Sequence, residues 1–431
     1  FELTNAQKRV IEEIRNDMSQ PFRMNRLLQG DVGSGKTLIA FLCMVTAIEA
    51  GGQAVIMAPT EILTKQHEDT LKPLAEKAGI VLESLSGRDK GKERKSKIEA
   101  IAAGKIQIIV GTHAVFQESI KYNDLRLAII DEQHRFGVRQ RMDLGNKGDA
   151  VDILIMTATP IPRSLALTNY GDMELSEVDE KPIGRKPINT VMVSSSRILE
   201  VIDRLKVAIE TGNQIYWVCP LVEESEFLEL TSAEDRANNL SKVLGKNNIG
   251  LVHGKMSGEE KDRVMSDFVD NKIKILVATT VIEVGVDVPN ATIIVIEHSE
   301  RFGLSQLHQL RGRVGRGADA STCLMIYEPP LGKTAKKRLE AIRETNDGFK
   351  IANVDLKLRG AGDVLGVSQS GLPKFRMADI ETQSHLMEMA KDEARLIMTN
   401  DPSLNSQQGK ALRNLLYIMG AYVYIKLLSV G

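Results

Sequence analysis

The run Gly30-Asp31-Val32-Gly33-Ser34-Gly35-Lys36-Thr37 fits the pattern GxxxxGK[ST] and stands between the apolar RLLQG and a helix-like stretch over 36–50. That is the context phosphate binding requires. The glycines let backbone N–H groups wrap phosphate oxygens at a helix N-terminus, Lys36 reaches the β and γ oxygens, and Thr37 supplies an oxygen to a magnesium ion. Further along, Asp131-Glu132 closes the apolar run LAIID. Adjacent carboxylates at the C-terminal edge of a parallel sheet are costly without a cation, which suits Asp131 to hold magnesium and Glu132 to orient an attacking water. A second Gly-Lys-Thr, Gly332-Lys333-Thr334, has Tyr327 where the first glycine belongs and is given no phosphate role.

These groups need a sheet to position them. Five short runs are apolar on nearly every residue, RLLQG, AVIMA at 54–58, IQIIVG at 106–111, LAIID at 127–131 and ILIMT at 153–157, as in strands buried on both faces. Helix-like stretches over 36–50 and 61–78 separate them, so a parallel sheet covered by helices is predicted. DEKPIGRKP at 179–187 reads as an interdomain hinge. The alternation then resumes with NTVMV, IYWVC, IGLVH, IKILVAT, TIIVIE and TCLMIY, and from about Leu331 only helical periodicity remains. The predicted class is α/β, two tandem RecA-like P-loop lobes with parallel sheets, then a helical hairpin segment and C-terminal helices. The expected boundaries are 1–182, 183–330, 331–375 and 376–431.

The length of 431 residues suits about three domains, and 42% hydrophobic with 26% charged residues excludes disorder. A net charge of −1 excludes a wholly basic chain without excluding a local basic groove. Residues 311–376 hold 13 Lys/Arg against seven Asp/Glu, the place to expect a duplex, whereas Leu221 to Arg236 carries six acids between its ends and reads as a solvated excursion. Cys43, Cys219 and Cys323 lie too far apart for a zinc pair or a disulfide framework, which fits a reducing cytoplasm. No leader peptide follows Phe1, and an excised fragment is expected. The longest apolar run, LLYIMGAYVYI at 415–425, is too short for a bilayer and reads as a docking helix.

With Asp131-Glu132 extended to Gln133-His134, the chain resembles a superfamily 2 helicase, and further motifs follow in that family's order. The resemblance implies that Gln7 in LTNAQ reads adenine. It also implies that APTEIL (Thr60) with Gln66, and VGTH with Gly111 and Thr112, contact one DNA strand, and that TATPIPRSLA, with Thr157, Thr159 and Arg163, couples hydrolysis to movement. His253 in HGKM, Thr280 in ATTVIEVGVDVP and the run QLRGRVGR complete the set in the second lobe. The runs over 129–141 and 343–371 are similar to the RecG branched-DNA helicases. In the second, Arg343, Arg359 and Gln369 match the polar positions of a helical-hairpin translocation motif, shared with the transcription-repair coupling factor. No N-terminal wedge domain is recognisable, and fork reading is expected to lie elsewhere.

Within that resemblance, Arg313 and Arg316 sit three apart and face the lobe interface as arginine fingers. Gln133 and His134 relay the nucleotide state, and Asp287 contacts ribose or braces the fingers. Threonine and glycine donors position a DNA strand by its phosphates without reading bases. Gly360, Gly362 and Gly366 read as the turn of the hairpin. The implied activity is an ATP-dependent double-strand DNA translocase acting on forks and Holliday junctions in recombination and repair, with ATP and Mg2+ as cofactors. The implied setting is the bacterial, nucleoid-associated cytoplasm, as a monomer without membrane contact and with single-strand DNA-binding protein as a candidate partner. The competing readings are a transcription-repair coupling translocase, a non-hydrolysing DNA-binding ATP switch and an RNA helicase.

Overall fold

A computed structural model of the chain describes residues 2–87, 89, 91–117, 119–131, 151–161, 173–180, 186–220, 226–279, 288–315, 317, 319–363 and 384–419. The apolar runs of the first half become β1 (Asn25–Gly30), β2 (Gln53–Met57), β4 (Ile108–Gly111), β5 (Leu125–Asp131) and β6 (Asp152–Thr157). They are joined by β3 (Leu82–Leu85) and β7 (Glu174–Val178), giving the parallel order β3-β4-β2-β5-β6-β1-β7. Because β6 lies between β1 and β5, the C-terminal ends of these three strands stand side by side, with Gln29 level with Thr157 and Asp131 level with Met156. Open parallel sheets bind ligands at that edge.

α1 (Asn5–Met18), α2 (Lys36–Glu49), α3 (Glu61–Lys77) and α4 (Gly91–Ala102) cover this sheet. Val10 and Ile14 of α1 and Ile39 and Met44 of α2 are fully buried with Leu28, Ile56, Ile129 and Met156. Each such side chain contributes about 1.5–3 kcal/mol on leaving water.

The second lobe has the parallel order β10-β11-β9-β12-β13-β8, from β8 (Asn189–Ser194), β9 (Gln214–Val218), β10 (Ile249–Val252), β11 (Ile275–Ala278), β12 (Ala291–Ile296) and β13 (Thr322–Tyr327). Alternate residues feed two separate cores. Tyr216, Leu276 and Ile294 enter one; Trp217, Val277 and Val295 enter the other. That is why these strands are apolar at nearly every position. The lobe's helices are α5 (Ile198–Glu210), α6 (Glu226–Leu244), α7 (Gly258–Val269) and α8 (Leu304–Arg311), followed by α9 (Lys333–Glu344) and α10 (Gly348–Asp363).

The structure departs from the sequence reading in three places. β3 and β7 were not anticipated because LESL and ELSEV are half polar, and both are sheet edges, where burial on two faces is not needed. Most of the acidic stretch is the start of α6 rather than an excursion, since Ala233, Ala237, Leu240 and Leu244 recur at helical spacing and are buried. Gly360 and Gly362 lie inside α10, not in a turn. Buried Ile351, Ala352 and Leu356 anchor that helix and outweigh the cost of about 1 kcal/mol per glycine. Gly366 lies outside the described residues.

The chain divides into two compact units, Phe1–Ile161 with Glu174–Leu358, and Pro162–Met173 with Arg359–Gly431. Both lobes belong to the first. The second contains α11 (Ser384–Asn400) and α12 (Gln407–Ile418), with Leu415, Tyr417 and Ile418 exposed on α12. The rest of the expected docking helix lies outside the described residues from 420 onward. Among the described residues, no helix is long and apolar enough to cross a membrane.

One half-buried carboxyl is expected to make the stability of the first lobe depend on pH. Burial pushes Asp152 up to about 6, despite the hydrogen bond it accepts from the Met24 N–H at 2.8 Å. A carboxyl raised in the folded state stabilises most below its unfolded pKa near 3.8, and that stability is lost as pH rises through 6. Asp152→Asn is therefore expected to raise the melting temperature at pH 8 and to flatten its fall between pH 4 and 6. Matching melting curves for the two proteins at every pH would contradict this.

Candidate functional site

The loop after β1 turns on two glycines with positive φ, Gly33 at 74° and Gly35 at 90°. Lys36 is buried and its Nζ donates to the carbonyls of Gly30 at 2.6 Å and Asp31 at 2.9 Å, so the ammonium is held inside the loop. Gln7 closes the opposite side: it forms a capping box with Thr4 and its Nε2 donates to the Ser34 carbonyl at 2.8 Å. Ser34 Oγ is buried without a hydrogen-bond partner, and Thr37 stands half-buried in the first turn of α2. Val32 lies against Gly312 of the second lobe, where a Cβ would come within 2.9 Å of it.

At the end of β5, Asp131 Oδ2 is 2.9 Å from His67 Nε2. His67 lies on the buried face of α3, whose N-cap is Thr60 and which also carries half-buried Gln66. One helix thus joins two expected DNA contacts to the expected metal ligand. Gly111 ends β4 and Thr112 follows it; a Cβ on Gly111 would lie 2.5 Å from the Leu85 carbonyl. Between β1 and β5, the Thr159 N–H donates to Thr157 Oγ1 at 3.1 Å, and Gln309 Nε2 of the second lobe donates to Thr159 Oγ1.

Thr37 and Asp131 offer a hydroxyl and a carboxylate oxygen, the hard donors magnesium takes. Among the described residues no three His, Cys, Asp or Glu side chains gather as a metal cage. This donor set fits magnesium held by one carboxylate together with substrate phosphates and water.

In the second lobe, His253 follows β10 and is half-buried, and Arg313 is buried. Arg311, two residues earlier, is more deeply buried and donates to the carbonyls of Ile342 at 2.5 Å and Thr345 at 2.8 Å. Of the basic stretch 311–376, these two arginines are interior. The exposed charge comes from Lys333, Lys336, Lys337 and Arg343 of α9 and Lys350 and Lys357 of α10. Arg359 lies in α10 with its side chain outside the described residues, as are Glu132, Gln133, His134, Arg163, Thr280, Asp287, Arg316 and Gln369. Sequence reasoning missed His67, His308, Arg311 and Gly348.

Residues 4–168 match the DEAD/DEAH box helicase family, 197–318 the helicase conserved C-terminal domain, and 345–419 the C-terminal part of domain 3 of ATP-dependent DNA helicase RecG. The ATP-dependent DNA helicase RecG of Haemophilus influenzae is 50% identical over 409 residues, which are 94% of this chain and 59% of that protein. The Bacillus subtilis protein of the same name is 49% identical over 415 residues, 96% and 61% of the two chains. The chain is homologous to the RecG helicases over nearly its whole length. It spans about 60% of the length of these curated relatives. A solved RecG bound to a three-way DNA junction matches this RecG homologue at 46% identity and a TM-score of 0.77, covering 90% of this chain and 50% of that one. The DUF1998 helicase MrfA bound to DNA shares the fold alone, at 16% identity and a TM-score of 0.59 over 79% and 50% of the chains. Two RecA-like parallel-sheet lobes followed by C-terminal helices are therefore the architecture of this RecG homologue, as its sequence predicts.

Proposed function

We propose that this chain is an ATP-driven motor that translocates on branched double-stranded DNA. The observation that carries the reading is the hydrogen bond from Gln309 to Thr159, which joins the segment holding Arg313 to the strand end between Lys36 and Asp131. ATP then lies between groups from both lobes, and its hydrolysis depends on their closure.

In this reading Gln7 reads adenine, with Asp287 on the ribose. Gly30 to Gly35 wrap the phosphates, and Lys36, Arg313 and Arg316 stabilise the charge that develops on the γ-phosphoryl oxygens. Glu132 orients a water and takes its proton as the new P–O bond forms and the β–γ bridge breaks, releasing ADP and phosphate. Thr37 and Asp131 would hold a magnesium ion, which would supply neutralisation of the phosphate charge. Gln133, His134 and Arg163 relay the nucleotide state. Thr60, Gln66, Gly111, Thr112, His253 and Thr280 hold DNA phosphates, and Arg343, Arg359 and Gln369 pass the stroke to the duplex. The working parts divide at 182/183, 330/331 and 375/376. The relatives' names and the junction-bound structure support branched DNA as the substrate. The same reading has the chain monomeric in the bacterial cytoplasm, with single-strand DNA-binding protein as a further partner.

Displacement of a third strand from a triplex tests it. The chain is expected to strip that strand from duplex DNA when given ATP, and Lys36→Ala is expected not to. Hydrolysis of ATP without displacement would contradict translocation.

A further inference from the structure

Three segments of the first unit converge on the carboxylate of Asp31, the second residue of the phosphate loop. His308 of α8 brings Nε2 within 2.8 Å of Asp31 Oδ1, and both side chains are buried. Arg311 Nη2 lies 3.1 Å from the other ring nitrogen, His308 Nδ1. A guanidinium only donates, so Nδ1 must accept, and the ring hydrogen sits on Nε2 and points at Asp31. The other branch of Arg311 grips the carbonyls of Ile342 and Thr345, where α9 ends and the chain enters α10.

The first residue of α10 completes the junction. A Cβ on Gly348 would collide with Asp31 Oδ1 and lie 2.6 Å from His308 Nε2 and 2.8 Å from Pro160 Cγ. Only glycine lets this helix approach so closely. Beside it runs a cavity of about 170 Å3 lined by Asp31, Val32, Ile188, His308, Arg311 and Asn346, among others. A small displacement of α8 or of the α9–α10 connection therefore has room to occur, and it changes what Asp31 is bonded to.

Asp31 is in turn joined to the reacting centre through its backbone, because its carbonyl accepts from Lys36 Nζ at 2.9 Å. We propose that Asp31, His308 and Arg311 form a positioning relay through which the second lobe and the 342–348 segment set the placement of the phosphate loop and Lys36 during ATP hydrolysis. The relay touches no reacting atom, and its three members are positioning residues. Asp31 thus keeps its backbone in the phosphate loop while its side chain faces the other lobe. This inference rests on the ATP-site reading above.

Four variants of the full chain test it: His308→Ala, His308→Gln, Asp31→Ala and Gly348→Ala, with the Asp31→Ala/His308→Ala double variant and Lys36→Ala alongside. Each is measured for melting temperature, for affinity for a fluorescent ADP, and for kcat and KM of ATP hydrolysis with a saturating three-way junction. His308→Ala is expected to lower kcat by about tenfold or more with KM for ATP changed less than about threefold, because a displaced loop costs more in the transition state than in binding. His308→Gln, whose amide can donate to Asp31, is expected to recover most of that loss. Gly348→Ala, which removes no polar group but pushes a methyl against Asp31, is expected to reproduce it, so the test does not depend on His308→Ala folding. The double variant is expected to be no worse than the poorer single one, since coupled residues are not additive. Parental kcat in folded Gly348→Ala and His308→Ala, or losses that multiply in the double variant, would overturn the relay. If Lys36→Ala is inactive while the relay variants match the parent, the relay alone fails; if Lys36→Ala turns over normally, the ATP-site reading fails.

Discussion

Lys36→Ala is expected to lower DNA-stimulated ATP hydrolysis by at least about a hundredfold, the scale seen when a preorganised charge is removed from a transition state. The ammonium is buried and fixed by two carbonyls at 2.6 and 2.9 Å, so it is already in place before charge develops on the γ-phosphoryl group. Alanine removes that charge and leaves only backbone N–H groups. Lys36→Arg is not expected to rescue it, since a planar fork does not fit a pocket shaped for a compact ammonium. Loss of the side chain leaves two carbonyls to other partners, and the apolar packing of α2 on the sheet is untouched, so melting should shift little. Turnover at saturating junction DNA checks this; a parental rate in Lys36→Ala would remove the P-loop from the mechanism.

Gly35→Ala is expected to damage both folding and nucleotide binding. At φ 90° a side chain costs about 1–3 kcal/mol in strain. The new methyl would also overlap the Gln7 amide, breaking its hydrogen bond to the Ser34 carbonyl. Nucleotide affinity should fall by roughly tenfold or more, because one lost charge-free contact and a distorted loop act together. The melting temperature should drop by about 2–4 °C per kcal/mol in a domain of this size. Gly51 supplies the control: it has φ 91° and no atom within 4 Å of a new Cβ. Gly51→Ala should lower melting and leave nucleotide affinity alone, and equal losses of affinity in the two variants would contradict the local argument.

Both variants lie in the part of the chain whose chemistry is written locally. A glycine loop, a lysine and a threonine fall within eight residues and follow directly on a short strand, so the phosphate loop and its place at a strand end are legible without the fold. The same holds for Asp131 at a strand end. His67 and His308 are different. Each stands alone in a helix, where a histidine is most often a packed neutral residue, and their partners Asp131 and Asp31 are 64 and 277 residues away. Only the folded chain brings them together. Arg311 was hidden by its neighbours, since the run QLRGRVGR directs attention to Arg313 and Arg316 and nothing local distinguishes the arginine that holds the 342–345 backbone. Gly348 belongs to no phosphate or turn motif, and its need for a missing side chain is set entirely by Asp31, His308 and Pro160.

Other misreadings had a signal. The acidic stretch before Arg236 was read by its charge, while the spacing of Ala233, Ala237, Leu240 and Leu244 already marks one helix face. The net charge of −1 hid the same kind of contrast. Among the described basic residues from Arg311 onward, Arg311 and Arg313 are interior, and the exposed lysines of α9 and α10 carry the positive surface a duplex would meet.

The ATP turnover of such a motor answers to branched duplex DNA, and steady-state hydrolysis compared across a three-way junction, linear duplex, single-stranded DNA and RNA tests that most directly. The greatest stimulation is expected from the junction, less from linear duplex and least from RNA, with the junction response weakening as salt rises. Turnover that is the same with and without DNA, or that is highest with RNA, would contradict it.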